Sequence, residues 1–344
     1  MDIIRQVLIS PSLFIQLDSS TMAFKPHKFD YFPLPGFFFA PLTATEIRAC
    51  YELCRAHNNI GFWVVYLPTA WSIAMAYKAS PEISTSSVLL CAVLYVPLCF
   101  GVKSLIMTID DLLDYDIDAL VERTKERPLP RGAISLGRAW FFFGLQVVVG
   151  VYLAITVLSH TALYTSIAVW PLYIIYPTCK RWTNFAPVPL GLMFNVGVFM
   201  GWSDVSADGR VPWRVLALIY VGACLWTWTY ETVYQHQDKV DDVKIGINSP
   251  ALLCRQYTIP ICLGTAVGFL GLLVCGGIMN GQGTVFYASV ASAGFVLLRG
   301  LLQTDINCPA ECKTFFLTTP LIGQIILAGF VVDAVIVRHL EGNF

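Results

Sequence analysis

Nine stretches of this chain are apolar and almost free of charge over lengths that suit a membrane crossing, at residues 60–77, 88–109, 139–158, 161–177, 185–203, 214–232, 258–280, 284–298 and 317–337. A helix needs about 20 mainly apolar residues to cross a bilayer. Inside lipid the backbone must satisfy its own hydrogen bonds, which restricts such runs to helices or a closed barrel. These runs are apolar on every side, as in helices bathed in lipid or packed in a bundle. The expected fold is therefore all-α, a polytopic integral membrane protein with about nine transmembrane helices. Pro68, Pro97 and Pro171 fall inside runs, where lipid-embedded helices tolerate a kink.

Composition agrees. Of 344 residues, 56% are hydrophobic and 13% charged, against roughly 45–50% and about 25% in soluble domains. The net charge of −1 gives no field that would gather a polyanion, so nucleic acid is excluded as a partner and the bilayer is the expected surroundings. The eleven cysteines are scattered, without CxxC spacing or a His cluster, and are expected to be reduced thiols. Residues 1–55 read as an N-terminal arm, Phe- and Pro-rich and then amphipathic over 43–54; residues 56–344 form one transmembrane domain. With nine spans, seventeen Lys and Arg fall on the side of the arm and the long loops and four on the other, Lys103 alone lying within a span. That bias places the long loops and the arm in the cytosol. The first twenty residues hold one Arg and two Asp, unlike a mitochondrial presequence, so the expected compartment is the endoplasmic reticulum.

Two of those loops carry the chemistry. Directly after the second run the chain reads Asp110-Asp111-Leu112-Leu113-Asp114-Tyr115-Asp116-Ile117-Asp118. If the helix continues, Asp111, Asp114 and Asp118 share one face, joined by Asp110, while Asp116 points elsewhere. Beyond the sixth run, Asp238 and Asp242 stand one turn apart. Like charges so spaced repel, and more strongly as water is withdrawn. Hard carboxylate oxygens select Mg²⁺ or Ca²⁺, and Mg²⁺ in particular is commonly held by a few carboxylates together with substrate phosphates. Two acidic clusters on one membrane face suit a Mg²⁺-bridged diphosphate, with nearby Arg and Lys neutralising the remaining charge.

With these motifs the chain resembles the UbiA superfamily of intramembrane prenyltransferases, especially its fungal members that prenylate aromatic compounds. DDLLDYDID stands where that family has NDxxDxxxD, followed by Glu122-Arg123-Thr124-Lys125-Glu126-Arg127-Pro128-Leu129; DxxxD and VKIG are matched by Asp238 to Asp242 and Val243-Lys244-Ile245-Gly246. Tyr176-Pro177, Lys180-Arg181 and the segment ending at Phe194-Asn195 resemble further family segments. The resemblance implies nine helices around a central cavity open to lipid. Metal binding and catalysis then fall to Asp111, Asp114, Asp118, Asp238 and Asp242, with Asp110 as a further ligand. Arg55, Arg123, Arg127, Lys180 and Lys244 are diphosphate candidates, and Asn195 and Tyr234 line the substrate cavity, Asn195 being equally explained as a polar residue satisfied within the bundle. Three departures from the family pattern, Asp110 for Asn, Glu231 after Tyr230, and residues 55–61, which keep only Arg55 and Gly61 of the usual string, bear on the acceptor.

The reaction so implied is Mg²⁺-dependent transfer of a farnesyl or similar group from prenyl diphosphate to an aromatic acceptor, in secondary metabolism. An allylic cation would need an apolar, π-rich enclosure, for which Trp63, Tyr66, Trp71, Phe194, Trp226, Trp228, Tyr230 and Tyr234 are candidates. The alternative is a membrane terpene cyclase of the same superfamily, closing farnesyl diphosphate on its own double bonds. A cation transporter ranks below both, because the acids cluster at helix ends and no internal repeat is visible.

Overall fold

The structure, a computed structural model, describes residues 41–206 and 209–340. Most of the expected arm, and with it the composition behind the endoplasmic-reticulum expectation, lies outside the described residues.

The first helix, α1 (Ala44–Leu53), starts in a capping box in which Thr43 accepts from the Glu46 N–H and the Glu46 carboxylate accepts from the Thr43 N–H. Its apolar face, Ala49 and Leu53, packs on Ile109 and Leu112. There follow α2 (Ile60–Ala79), α3 (Thr85–Leu113), the short α4 (Tyr115–Asp118), α5 (Leu136–Val157) and α6 (His160–Thr178). Next come α7 (Pro187–Phe194), α8 (Gly197–Val205) and α9 (Trp213–Gln235), then α10 (Lys239–Ile245) and α11 (Pro250–Cys254). The last four are α12 (Thr258–Met279), α13 (Thr284–Gln303), α14 (Pro309–Leu317) and α15 (Thr319–Leu340).

All nine apolar runs are helical. The fifth is broken in two, because Asn195 and Val196 interrupt the helix between α7 and α8. Among the described residues, seven helical segments are long and apolar enough to cross a membrane; α6 and α9 have comparable length but carry more Thr, Tyr and Trp. Around the bundle the neighbours run α3, α6, α7 with α8, α9, α12, α13 and α15, closing back through α2, which also packs on α8. Two glycines set that last contact: a Cβ on Gly197 would lie 1.9 Å from Thr69 Oγ1, and one on Gly201 2.6 Å from the Thr69 carbonyl. α5 packs on α3 and presents Val148, Val149, Tyr152 and Ile155 outward, a composition suited to lipid.

The two ends of the bundle differ. At one, Lys78 on α2 and Asp333 on α15 form a buried ion pair of 2.7 Å, closed by the Gly283 N–H donating to Asp333 at 2.9 Å and by Lys78 donating to the Gly281 carbonyl. At the other, the long connections after α3, α6, α9 and α13 gather the acidic motifs. There Arg138, at the start of α5, pairs with Glu46 at 2.5 Å and fastens α1 to the bundle. All eleven cysteines are free.

Candidate active site

Helix α3 ends at Asp114, yet its hydrogen-bond register carries through the break: Asp114 N–H donates to the Asp110 carbonyl at 2.9 Å and Asp118 N–H to the Asp114 carbonyl at 2.8 Å. Asp110, Asp111, Asp114 and Asp118 consequently keep to one buried stripe, with exposures of 7%, 1%, 0% and 2%. Asp116 leaves it and pairs with Arg181 at 2.7 Å. In the second motif Asp238 precedes α10, and Asp242, one turn on, is buried.

Carboxylates buried in such number need cations, and the intervening loops supply them. Arg55 grips Asp111 with both terminal nitrogens, at 2.5 and 2.9 Å. Arg127 bridges Asp111 at 3.1 Å and Asp118 at 2.5 Å. Lys180, just beyond α6, donates to Asp114 at 2.7 Å. Arg123 forks onto Asp238 at 2.8 and 2.5 Å, donates to the Tyr234 hydroxyl at 3.1 Å and lies 5.3 Å from that ring's centroid. Loop 119–135 thereby ties the first motif to the second. Burial raises the Asp114 and Asp118 carboxyls above their ordinary value, against the pull of Lys180 and Arg127, and pushes Asp242 up to about 6. Burial also works against the Lys180 ammonium, but Asp114, Asp110 and Asp118 outweigh it and hold its pKa up.

A polar pocket of about 80 Å³ is lined by Asp110, Asp118, Asp238 and Asp242 together with Arg123, Arg127, Lys180 and Tyr234. Further along α3 and α6 lies an apolar cavity of about 240 Å³, whose lining includes Leu105 and Tyr173. Asp111 and Asp114 stand behind the pocket wall, held by the basic residues described. Two expected substrate residues are placed differently. Lys244 is exposed and pairs with Asp241 at 2.9 Å; it does not reach the pocket, because a carboxylate three residues back on its own helix claims it. Asn195 is buried, its amide donating to the Gly191 carbonyl at 2.8 Å and Thr227 Oγ1 at 2.9 Å, an interhelical tie between α7 and α9. Of the eight aromatic candidates only Phe194 and Tyr234 line these two cavities. Trp71 and Trp226 instead stack with Phe269 in the bundle core, at 6.3 and 5.5 Å.

Two pocket residues, Gln235 and Asn248, carry no signal in the sequence; Glu231 stands there as a departure from the family pattern and Ser249 just after the second motif. Glu231, Gln235, Asn248 and Ser249 all line the pocket, and the Asn248 N–H donates to the Lys180 carbonyl at 2.8 Å, which docks the second motif's loop against the end of α6. His236 turns away, its Nε2 lying 2.8 Å from Thr258 Oγ1.

Among the described residues, no three Asp, Glu, His or Cys side chains stand together as a ready-made metal cage. The pocket does offer hard oxygen donors: Asp110 Oδ1, which lines it, is buried with no hydrogen-bond partner, as is Asp114 Oδ1 just behind its wall. That set fits Mg²⁺ held jointly by a few carboxylates and phosphate oxygens rather than by protein alone.

Residues 65–322 match the UbiA prenyltransferase family. The mitochondrial 4-hydroxybenzoate polyprenyltransferase of Schizosaccharomyces pombe is 34% identical over 82% of this chain and 78% of its own length. A UbiA homolog from Aeropyrum pernix K1, solved in its apo form, matches at a TM-score of 0.66 and 26% identity over 80% of this chain and 99% of that one. A UbiA homolog from Archaeoglobus fulgidus, bound to GPP and Mg²⁺, shares the fold at a TM-score of 0.59 and 17% identity over 82% of this chain and 99% of that one.

Proposed function

Because the chain belongs to the UbiA prenyltransferase family, we propose that it moves a prenyl group from a prenyl diphosphate onto a ring carbon of a hydroxybenzoate-like or polyketide-derived phenol. The observation that carries this reading is that α3 and α6 line both a charged pocket, completed from the two aspartate motifs, and an apolar cavity. The diphosphate would be held by Arg123, Arg127 and Lys180, with Arg55 behind them, and the isoprenoid chain would extend past Leu105 and Tyr173.

Breaking the allylic C–O bond puts negative charge on the leaving oxygens, and preorganised cations in a water-poor site favour that charge strongly. Mg²⁺, held by Asp110, Asp114, Asp118, Asp238 and Asp242, would add Lewis-acid stabilisation of the same oxygens. The rings of Tyr176, Tyr234 and Phe194 would face the cation. The apolar wall would exclude water until the acceptor's electron-rich carbon forms the new C–C bond and gives up its proton.

The farnesyl donor and the secondary-metabolite setting expected from the sequence belong to this proposal. The relatives are 4-hydroxybenzoate enzymes by name and do not single out the fungal aromatic branch. These relatives are transferases by name, which disfavours the cyclase alternative. Their names also favour mitochondria over the endoplasmic reticulum, and fractionation of cells expressing the tagged full chain would decide between the two. The activity is tested by incubating membranes with Mg²⁺, farnesyl or geranyl diphosphate, and 4-hydroxybenzoate among a panel of phenols. A prenylated acceptor in the mass spectrum is the expected result. No such product across the panel, or a cyclic hydrocarbon formed without acceptor, would overturn the reading.

A further inference from the structure

Lys103 is the one basic residue that lies inside a span on the sequence reading, and the structure buries it to 1% exposure. Among the described residues no carboxylate pairs with its ammonium: Nζ donates to the Cys54 carbonyl at 2.6 Å and the Arg55 carbonyl at 3.2 Å, and lies 4.5 Å from the Phe100 ring centroid. A lysine at membrane depth is costly and is retained where it performs a task. The backbone it holds is itself unusual. Arg55 has φ +50°, a left-handed conformation that non-glycine residues adopt only when their surroundings impose it. In that turn the Arg55 carbonyl also accepts from the Asn58 N–H at 3.0 Å, and the side chain leaves in the direction that lets it grip Asp111. Gly61, at the start of α2, makes the room: a Cβ there would lie 3.0 Å from Lys103 Cγ.

We infer that Lys103 is a positioning residue for the prenyl diphosphate site. It acts through the backbone of Cys54 and Arg55 and fixes the turn from which the Arg55 guanidinium reaches the first aspartate motif. The inference rests on the reading of Arg55 as part of the diphosphate site. Lys103 itself touches neither the pocket nor the apolar cavity, so its effect passes wholly through Arg55.

The full chain in lipid nanodiscs is titrated with Mg²⁺ and farnesyl thiolodiphosphate, a donor that does not turn over, and affinity is read by calorimetry. Lys103→Met is expected to weaken binding roughly tenfold, since a small misplacement remote from the chemistry is amplified at the site. Lys103→Arg, which can still donate to both carbonyls, is expected to stay within about twofold of wild type, and Lys103→Met combined with Arg55→Ala to match Arg55→Ala alone, the signature of two residues acting as one unit. Should Lys103→Met fail to fold, Gly61→Ala, which presses on the lysine stem, takes its place with the same expected non-additivity. Unchanged affinity in the first variant, or a loss that simply adds to that of Arg55→Ala, overturns the inference. A wild-type chain that binds the analogue yet prenylates no phenol overturns the proposed function and leaves the positioning test readable; one that does not bind overturns both.

Discussion

Arg55, Arg127, Lys180 and Arg123 each face a carboxylate of the two motifs at 2.5–2.7 Å, so charge at the site is distributed residue by residue. On the proposed function, removing one of these acids would delete a metal ligand, and at Asp114, Asp118 or Asp238 it would also release the cation paired with it. Asp114→Ala, Asp118→Ala, Asp238→Ala and Asp242→Ala are each expected to lower kcat/KM by about 100-fold or more, read as prenylated product per unit time. Asp116, with a side chain 42% exposed and engaged by Arg181, is expected to cost no more than about fivefold on substitution by Ala, as befits a surface ion pair; equal loss at Asp116 and Asp114 would show that the stripe has been assigned to the wrong face. Arg123→Lys is expected to raise KM for the donor about tenfold, because an ammonium cannot reproduce the forked contact to Asp238. The acidic stripe was legible from spacing alone, since helical periodicity fixes which carboxylates share a face. Lys244 was not, because the direction of an exposed side chain on a two-turn helix depends on which neighbour claims it, here Asp241.

At the scale of helices, the apolar runs announced all nine long segments because lipid imposes a continuous requirement along each one. The break at Asn195 and Val196 carried no such mark: neither residue is Pro or Gly, and the interruption belongs to the close seating of α8 on α2 through Gly197 and Gly201. Gly201→Ala is therefore expected to force those helices apart at a cost of about 1–3 kcal/mol, seen as a lower midpoint of thermal unfolding in detergent. Asp333→Ala would strand Lys78 between α2 and α15 with a carbonyl as its remaining partner. Breaking a buried pair from one side costs about 3–5 kcal/mol, so this variant is expected to be less stable than Gly201→Ala in the same melt. Asp333 and Lys78 line neither the acidic pocket nor the apolar cavity, and turnover per folded molecule should be preserved in Asp333→Ala.

Across the whole molecule, the polar pocket and the apolar cavity are lined from the same two helices, α3 and α6, by Asp110 and Tyr176 in the one and by Leu105 and Tyr173 in the other, as the proposed substrate, a charged leaving group on an apolar chain, would require. Chelation by EDTA is expected to abolish turnover and added Mg²⁺ to restore it, measured on the same membranes. Which aromatic rings line these two cavities was beyond the sequence, because it depends on how helices rotate against one another: Trp226 looks inward in one dimension but stacks on Phe269 in three. The pairing of Arg55, Arg127, Lys180 and Arg123 with carboxylates of the chain itself has a kinetic corollary. On the proposed function, an arriving diphosphate would have to supplant tethered anions that never diffuse away, and those same anions would stand ready to reclaim their cations once pyrophosphate is formed. The pocket would thus compete with the spent leaving group for its own cations, trading tightness of capture for speed of clearance.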